Sequence, residues 1–127
     1  MIKMEHLNDQ ALGLVAEYFR SLSDPMRLRI LNALRGGPMN VGQLTEQLSS
    51  SQANVSKHLA TLAAAGMVSR NPRGTSVWYE IADPAIYKLC DLVCGQLGRR
   101  FTQTAELGAL FGGPVRAPRG RRSPRAG

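Results

Sequence analysis

The sequence predicts a mostly α-helical fold carrying one two-stranded β-hairpin, and three observations predict it. Apolar residues recur at three- and four-residue spacing through most of the chain, in segments bounded by helix-starting and helix-stopping residues. One short segment of this kind, Met39 to Leu48, is joined by Ser49-Ser50-Ser51 to a longer one that ends at Gly66. A single stretch after it, Met67 to Ile81, switches to alternation and β-favouring residues around Asn71-Pro72-Arg73-Gly74-Thr75, a turn-forming run.

In order, Leu7 to Leu22 reads as the first helix, with Leu12, Val15, Ala16, Phe19 and Leu22 on one face and Glu17 and Arg20 off it. That stripe is wide for a helix opening a small domain, which predicts packing against a partner as well as its own core. Ser23-Asp24-Pro25 separates it from the second helix. Asp24 suits the N-cap, and Pro25 suits the first helical position, where a missing N–H costs nothing. The second helix, Met26 to Arg35, is expected to bury Leu28, Ile30, Leu31 and Leu34, and Gly36-Gly37-Pro38 closes it. Val41, Leu44 and Leu48 then mark a short helix.

The stretch from Ser49 to Gly66, SSSQANVSKHLATLAAAG, organises the rest. Ser51 is the expected N-cap. Val55, Leu59 and Leu62 make one apolar stripe, and Ala53, Asn54, Ser56, Lys57 and Thr61 lie off it. Taken alone, that second face fits a solvated surface helix as well as one entering a DNA major groove, where amides and hydroxyls meet base edges and lysine meets phosphate. The short helix and serine turn before it favour the second reading, because helix, tight turn, longer helix is helix-turn-helix order. A hairpin directly after such a pair is a wing. Arg70 and Arg73 fall on or beside its tip, within reach of backbone or minor groove.

Asp83-Pro84 starts a terminal helix, extending as far as Phe111 before Gly112-Gly113-Pro114. Ile86, Cys90, Val93, Cys94, Leu97 and Phe101 form its stripe. No other element is left to cover this stripe and that of the first helix, so a homodimer through the first and last helices is expected. Residues 1–111 then form one DNA-binding and dimerisation domain, and residues 112–127 a disordered basic tail rich in Arg, Pro and Gly.

The net charge of +7 is unevenly placed: Arg116, Arg119, Arg121, Arg122 and Arg125 supply five of the 16 basic residues, leaving 11 against 9 acids in the body. A body so nearly neutral fits DNA binding through a local patch; the tail is either a solubilising end or a source of sequence-independent phosphate attraction. No apolar run approaches eighteen residues, and the first ten, MIKMEHLNDQ, carry charge where a signal peptide needs an apolar stretch. The expectation is a cytoplasmic protein with no membrane partner, whose two cysteines are reduced thiols.

At this point the residues resemble a known family. Phe19-Arg20-Ser21-Leu22-Ser23-Asp24-Pro25-Met26-Arg27-Leu28-Arg29-Ile30-Leu31 is similar to the helix-entry signature of the ArsR/SmtB-type winged-helix repressors. Ser51-Gln52-Ala53-Asn54-Val55-Ser56-Lys57-His58-Leu59, followed by Gly66-Met67-Val68, is similar to their recognition helix and its turn into the wing, so the likeness runs from about Leu12 to Leu97. It implies a winged helix-turn-helix homodimer that represses transcription, binds an inverted repeat in double-stranded operator DNA and is released by an effector. Carried over residue by residue, the DNA contacts fall on Ser51, Gln52, Asn54, Ser56, Lys57 and His58, with wing arginines near Arg70 and Arg73. His58 adjoins the apolar stripe, so a packed, hydrogen-bonded histidine is as good a reading as a phosphate contact, and both stand far above a metal ligand.

The effector is where the chain departs from the pattern. The family's arsenic-type Cys-x-Cys pair falls on Asn40 and Gly42, neither of which supplies a thiolate. The zinc-type site on the terminal helix falls on Asp83, Ala85, Gln96 and Arg99, where only the aspartate survives, and an N-cap also explains it. Cys90 and Cys94 remain, four apart on one helical face and able to ligate one soft metal ion or metalloid together. A disulfide between them is disfavoured, because Cβ atoms about 5–6 Å apart in an intact helix exceed the roughly 3.5–4.5 Å such a bond needs. Packing in an apolar stripe explains the pair equally well, so no cofactor is required.

The sequence contains no Gly-rich phosphate loop, nucleophile elbow or paired carboxylates, so an enzyme is not expected. The alternatives to an effector-released repressor are a winged-helix module for protein contacts and a repressor with no small-molecule effector.

Overall fold

The computed structural model describes residues 1–101 and 109–112. The chain divides into two compact units, the first Met1–Asp83 and the second beginning at Pro84.

In the first unit, a 3-10 turn at Met4–His6 precedes α1, Asp9–Ser21. Asn8 caps α1 by accepting the Ala11 N–H at 2.9 Å, which starts the helix two residues later than its apolar pattern suggests. No residue of α1 is buried, and Leu14 is 65% exposed. Helix α2, Pro25–Ala33, begins as predicted: the Asp24 carboxylate accepts the N–H groups of Met26 and Arg27, and Pro25 occupies the first turn. A 3-10 turn, Leu34–Gly36, ends it.

Ile30, Leu31 and Leu34 are buried as expected, but Leu28 is 42% exposed. At about 100° per residue, the inward face of α2 is centred between Ile30 and Leu31 and includes position 27, whereas Leu28 lies roughly 110° from that centre. The inward place that apolar spacing assigns to leucine is taken by Arg27, which is half-buried.

Met39 and Asn40, expected to open the next helix, form a short strand, β1, instead. Asn40 then caps α3, Val41–Leu48, in a reciprocal box: its side chain accepts the Gln43 N–H at 2.8 Å, and Gln43 Oε1 accepts the Asn40 N–H at 3.1 Å. Ser49 ends α3 in the left-handed region at φ 52°, and α4 follows as Gln52–Ala64. The strands β2, Val68–Arg73, and β3, Ser76–Ile81, pair antiparallel from Val68↔Ile81 to Arg73↔Ser76. The hairpin is therefore longer and tighter than predicted, with Gly74-Thr75 alone as its loop and Gly74 at φ +62°. Pro72 lies inside β2 without breaking it because the strand order β1-β3-β2 makes β2 an edge. Met39↔Tyr79 and Asn40↔Trp78 add the third strand that the sequence reading missed.

Ile30, Leu44, Val55, Leu59 and Leu62 are fully buried, so the core lies where α2, α3 and α4 meet. Met67, Val68 and Tyr79 extend it under the sheet.

In the second unit, α5 spans Ala85–Arg100. Its cap position is Pro84, which makes no side-chain cap bond, so the helix starts one residue later than a cap at Asp83 would place it. Ile86 and Gly98 are buried, Cys90 is half-buried, and Val93 and Cys94 are exposed with Leu92 at 72%. The expected helical continuation through 102–108 and the basic tail from 113 lie outside the described residues. Among the described residues no helix is long and apolar enough to cross a membrane.

Candidate nucleic-acid interface

Helix α4 divides cleanly into two faces. Val55, His58, Leu59 and Leu62 are buried, whereas Gln52, Ala53, Ser56, Lys57 and Ala60 are exposed, which is the division expected of a helix at 3.6 residues per turn. The outward face holds an amide, a hydroxyl and an ammonium between two alanines, whose small side chains let another surface approach closely. The helix contains no acidic residue, and the dipole of a helix favours an anion at its N-terminus, so nothing on it repels a phosphate.

The turn ahead of α4 is closely tied. The Ser51 hydroxyl accepts the Asn54 N–H at 3.0 Å, and Asn54 Nδ2 donates to Ser50 Oγ at 3.0 Å. One turn back, Arg29 Nη2 donates to the Leu48 carbonyl at 3.0 Å, satisfying an end group of α3 and holding the turn against α2. Ser51 and Asn54 thus already serve helix entry, and Gln52, Ser56 and Lys57 are the side chains most open on this face.

His58 is 6% exposed, and its ring Nδ1 lies 3.0 Å from Arg27 Nη1. Of its two readings, the packed and hydrogen-bonded one describes its place in the fold. Nε2 of the same ring lies 3.9 Å from Asp24 Oδ1. Partial desolvation raises the Asp24 carboxyl pKa, but the Met26 and Arg27 backbone N–H groups, the His58 ring and the Arg27 guanidinium outweigh it and hold it below its ordinary value. Arg27 and Arg29 are contributors that pattern reading missed; for Arg27 the signal available was a basic residue at an inward phase of α2, whereas Arg29 is exposed on that helix and offered none.

The two wing arginines are placed differently. Arg73 pairs with Ser76 beside the Gly74-Thr75 loop, while Arg70 pairs with Tyr79 three residues down the strand. A three-residue separation puts them on opposite faces of the ribbon, and both are exposed.

In the second unit, Cys90 and Cys94 lie four residues apart on one face of α5 and form no disulfide. Among the described residues no group of three His, Cys, Asp or Glu side chains could hold a metal ion.

The family described as bacterial regulatory proteins of the arsR type matches residues 24–70, from the α2 cap to the middle of β2. The chain is 36% identical over 85 residues to the HTH-type transcriptional regulator NmtR of Mycobacterium tuberculosis, covering 67% of this chain and 71% of that protein. The chain belongs to the ArsR family. This ArsR-family protein is a DNA-binding transcriptional regulator and not an enzyme. Among solved structures it is similar to M. tuberculosis Rv0081, with a TM-score of 0.69 and 31% identity over 76% of this chain and 97% of that one. It is also similar to the homodimeric winged helix-turn-helix DNA-binding domain Mb0332 of Mycobacterium bovis, described as a possible ArsR-family regulator. That match has a TM-score of 0.63 and 27% identity over 73% of this chain and 86% of that one. The winged-helix reading of α3, α4 and the hairpin is that of its relatives.

Proposed function

We propose that this ArsR-family protein is a homodimeric repressor that reads an inverted-repeat operator with α4 and the wing. The observation that carries this reading is the acid-free outward face of α4, where Gln52, Ser56 and Lys57 stand exposed within two turns of a capped N-terminus. In the proposal, Gln52 and Ser56 meet base edges, with Ser51 and Asn54 at the helix entry. Lys57 meets phosphate, and Arg70 and Arg73 reach the flanking backbone or minor groove. His58 acts from behind this face.

Dimerisation through α1 and α5 is supported by what each leaves exposed. Leu14, Tyr18 and Phe19 on α1, and Leu92 and Val93 on α5, are large apolar side chains in contact with solvent. The neighbour Mb0332 is described as a homodimer. Such a dimer sets the spacing between two copies of α4, which is the quantity that an inverted repeat reads. The site of action is the cytoplasm, where the operator is.

Release is assigned to Cys90 and Cys94. Two thiols four residues apart on one helix face can ligate a thiophilic metalloid or soft metal ion together, or react with an oxidant or sulfane sulfur. Cys94 is exposed to such a reagent and Cys90 lies half-buried beside it. A change on α5 would then alter the spacing of the recognition helices through the dimer.

The test uses duplex DNA from immediately upstream of the protein's own coding region, with the reduced dimer, followed by diamide, sulfane sulfur or arsenite. Tight, salt-dependent binding reversed by one of these reagents is the expected result. Tight binding that none of them reverses would return the cysteines to packing, and no binding at low salt would leave a module for protein contacts.

A further inference from the structure

Arg27 sits on the inward face of α2, a place where burial of a guanidinium requires its donors to be used. They are. Nε donates to the Ser21 carbonyl at 2.6 Å and Nη2 to the Arg20 carbonyl at 3.4 Å, both at the end of α1, while Nη1 meets His58 Nδ1 at 3.0 Å. A guanidinium carries donors only and stays protonated in a folded protein, so His58 Nδ1 must be the acceptor, with its proton on Nε2. Nε2 then faces Asp24 Oδ1 at 3.9 Å, and the same oxygen caps α2 through Met26 and Arg27. One cluster thus joins the end of α1, the start of α2 and the second turn of α4.

Among the described residues, the remaining buried side-chain anchors of α4 are apolar. Val55, Leu59 and Leu62 are fully buried, but apolar burial is non-directional and tolerates small rotations of a helix about its axis. The hydrogen bonds of Ser51, Asn54 and Thr61 stay within the helix or its own entry turn. The Arg27–His58 bond is directional, reaches another helix, and is made by the residue next to Lys57.

We propose that Arg27 and His58 are positioning residues that set the rotation of α4, so that the Nδ1-bare His58 holds Gln52, Ser56 and Lys57 in the register that discriminates an operator from other DNA. This rests on the reading that α4 binds an operator. Non-specific binding depends on charge, which these two residues leave in place on the outward face, whereas base readout depends on where the side chains point.

The experiment uses the full chain and three variants, Arg27→Met, His58→Leu and His58→Asn, the last placing an amide oxygen where Nδ1 stood. Each is checked for a cooperative thermal transition and titrated with the operator fragment and an unrelated duplex of equal length. Arg27→Met and His58→Leu are expected to lower operator affinity about tenfold while leaving unrelated DNA within about twofold, and His58→Asn to keep most of the discrimination. Nitrogen-15 spectra of the free protein are expected to show the His58 proton on Nε2. Equal losses on both duplexes, or unchanged discrimination in a folded Arg27→Met, would overturn the proposal. A ring with its proton on Nδ1 would overturn the hydrogen bond itself, with no reference to DNA. A wild type that does not distinguish the two duplexes would remove the operator reading, and the positioning role with it.

Discussion

The guanidinium of Arg73 lies over the indole of Trp78, 5.3 Å from the ring centroid. Trp78 pairs with Asn71, so Arg73 is its diagonal neighbour on the same face of the hairpin, and the stack holds the charge along the ribbon near its tip. A cation–π contact at an exposed site is worth roughly 0.5–1 kcal/mol. Trp78→Ala is therefore expected to weaken operator binding by a few-fold at most, and Arg73→Ala to weaken it further. In a double-mutant cycle the two losses should not add, because each removes the same held arginine; full additivity would mean that the stack does not place Arg73 for DNA.

Lys57 is assigned to phosphate and Gln52 to a base edge, and these roles respond differently to salt and sequence. Lys57→Ala should weaken binding to operator and unrelated DNA alike and reduce the salt slope by about 1. Gln52→Ala should leave the slope alone and relax preference at one base pair, at a cost of about 1–3 kcal/mol. Titrations across a range of salt with single-base operator variants separate the two. A Gln52→Ala variant with a reduced slope and intact preference would reverse the assignments.

The Asp24 carboxyl is held below its ordinary pKa in the fold. A depressed carboxylate stabilises the folded state above the ordinary carboxylate range, and that contribution is lost as pH falls through the range towards the lower folded value. Asp24→Asn keeps a capping oxygen but removes the charge. Wild type should melt at a higher temperature than Asp24→Asn at neutral pH, and the two Tm values should converge on acidification. A gap that widens with acid would show that the carboxylate is not stabilised by its N–H and cationic neighbours.

Replacing Cys90 and Cys94 together by serine should leave operator affinity unchanged and abolish release by whichever of diamide, sulfane sulfur or arsenite releases the wild type. Serine keeps the size but supplies neither a thiolate nor a soft ligand. Normal release of the double variant would end the sensing role.

The exposed apolar face of α1 predicts a charge-sensitive dimer. Leu14→Glu or Phe19→Glu should raise the dimer dissociation constant at least about tenfold, a change of about 1.4 kcal/mol, and weaken operator binding in parallel. Sedimentation at several concentrations reads the first effect. An unchanged dimer in both variants would place the interface elsewhere.

Much of this molecule was legible in its residues. The stripe of Val55, Leu59 and Leu62, the Ser51 cap and the Asp24-Pro25 helix start are local features. Each depends on residues within two turns of one another, where periodicity and cap chemistry act directly. The outward face of α4 follows from the same phase, and the likeness to ArsR-type regulators lies in two stretches of contiguous residues, 19–31 and 51–59.

What the sequence alone could not decide were relationships between segments distant in the chain. Met39 and Asn40 form a strand only because Tyr79 and Trp78 lie beside them, and two residues carry no alternation to read. Leu28 faces solvent because the inward phase of α2 is set by what α3 and α4 bury against it. His58 left two readings open until tertiary packing brought Arg27, 31 residues away, within 3.0 Å of its ring. Local periodicity sets the faces of a helix; the partner that meets each face, and therefore what a buried polar residue does there, is set by packing between elements.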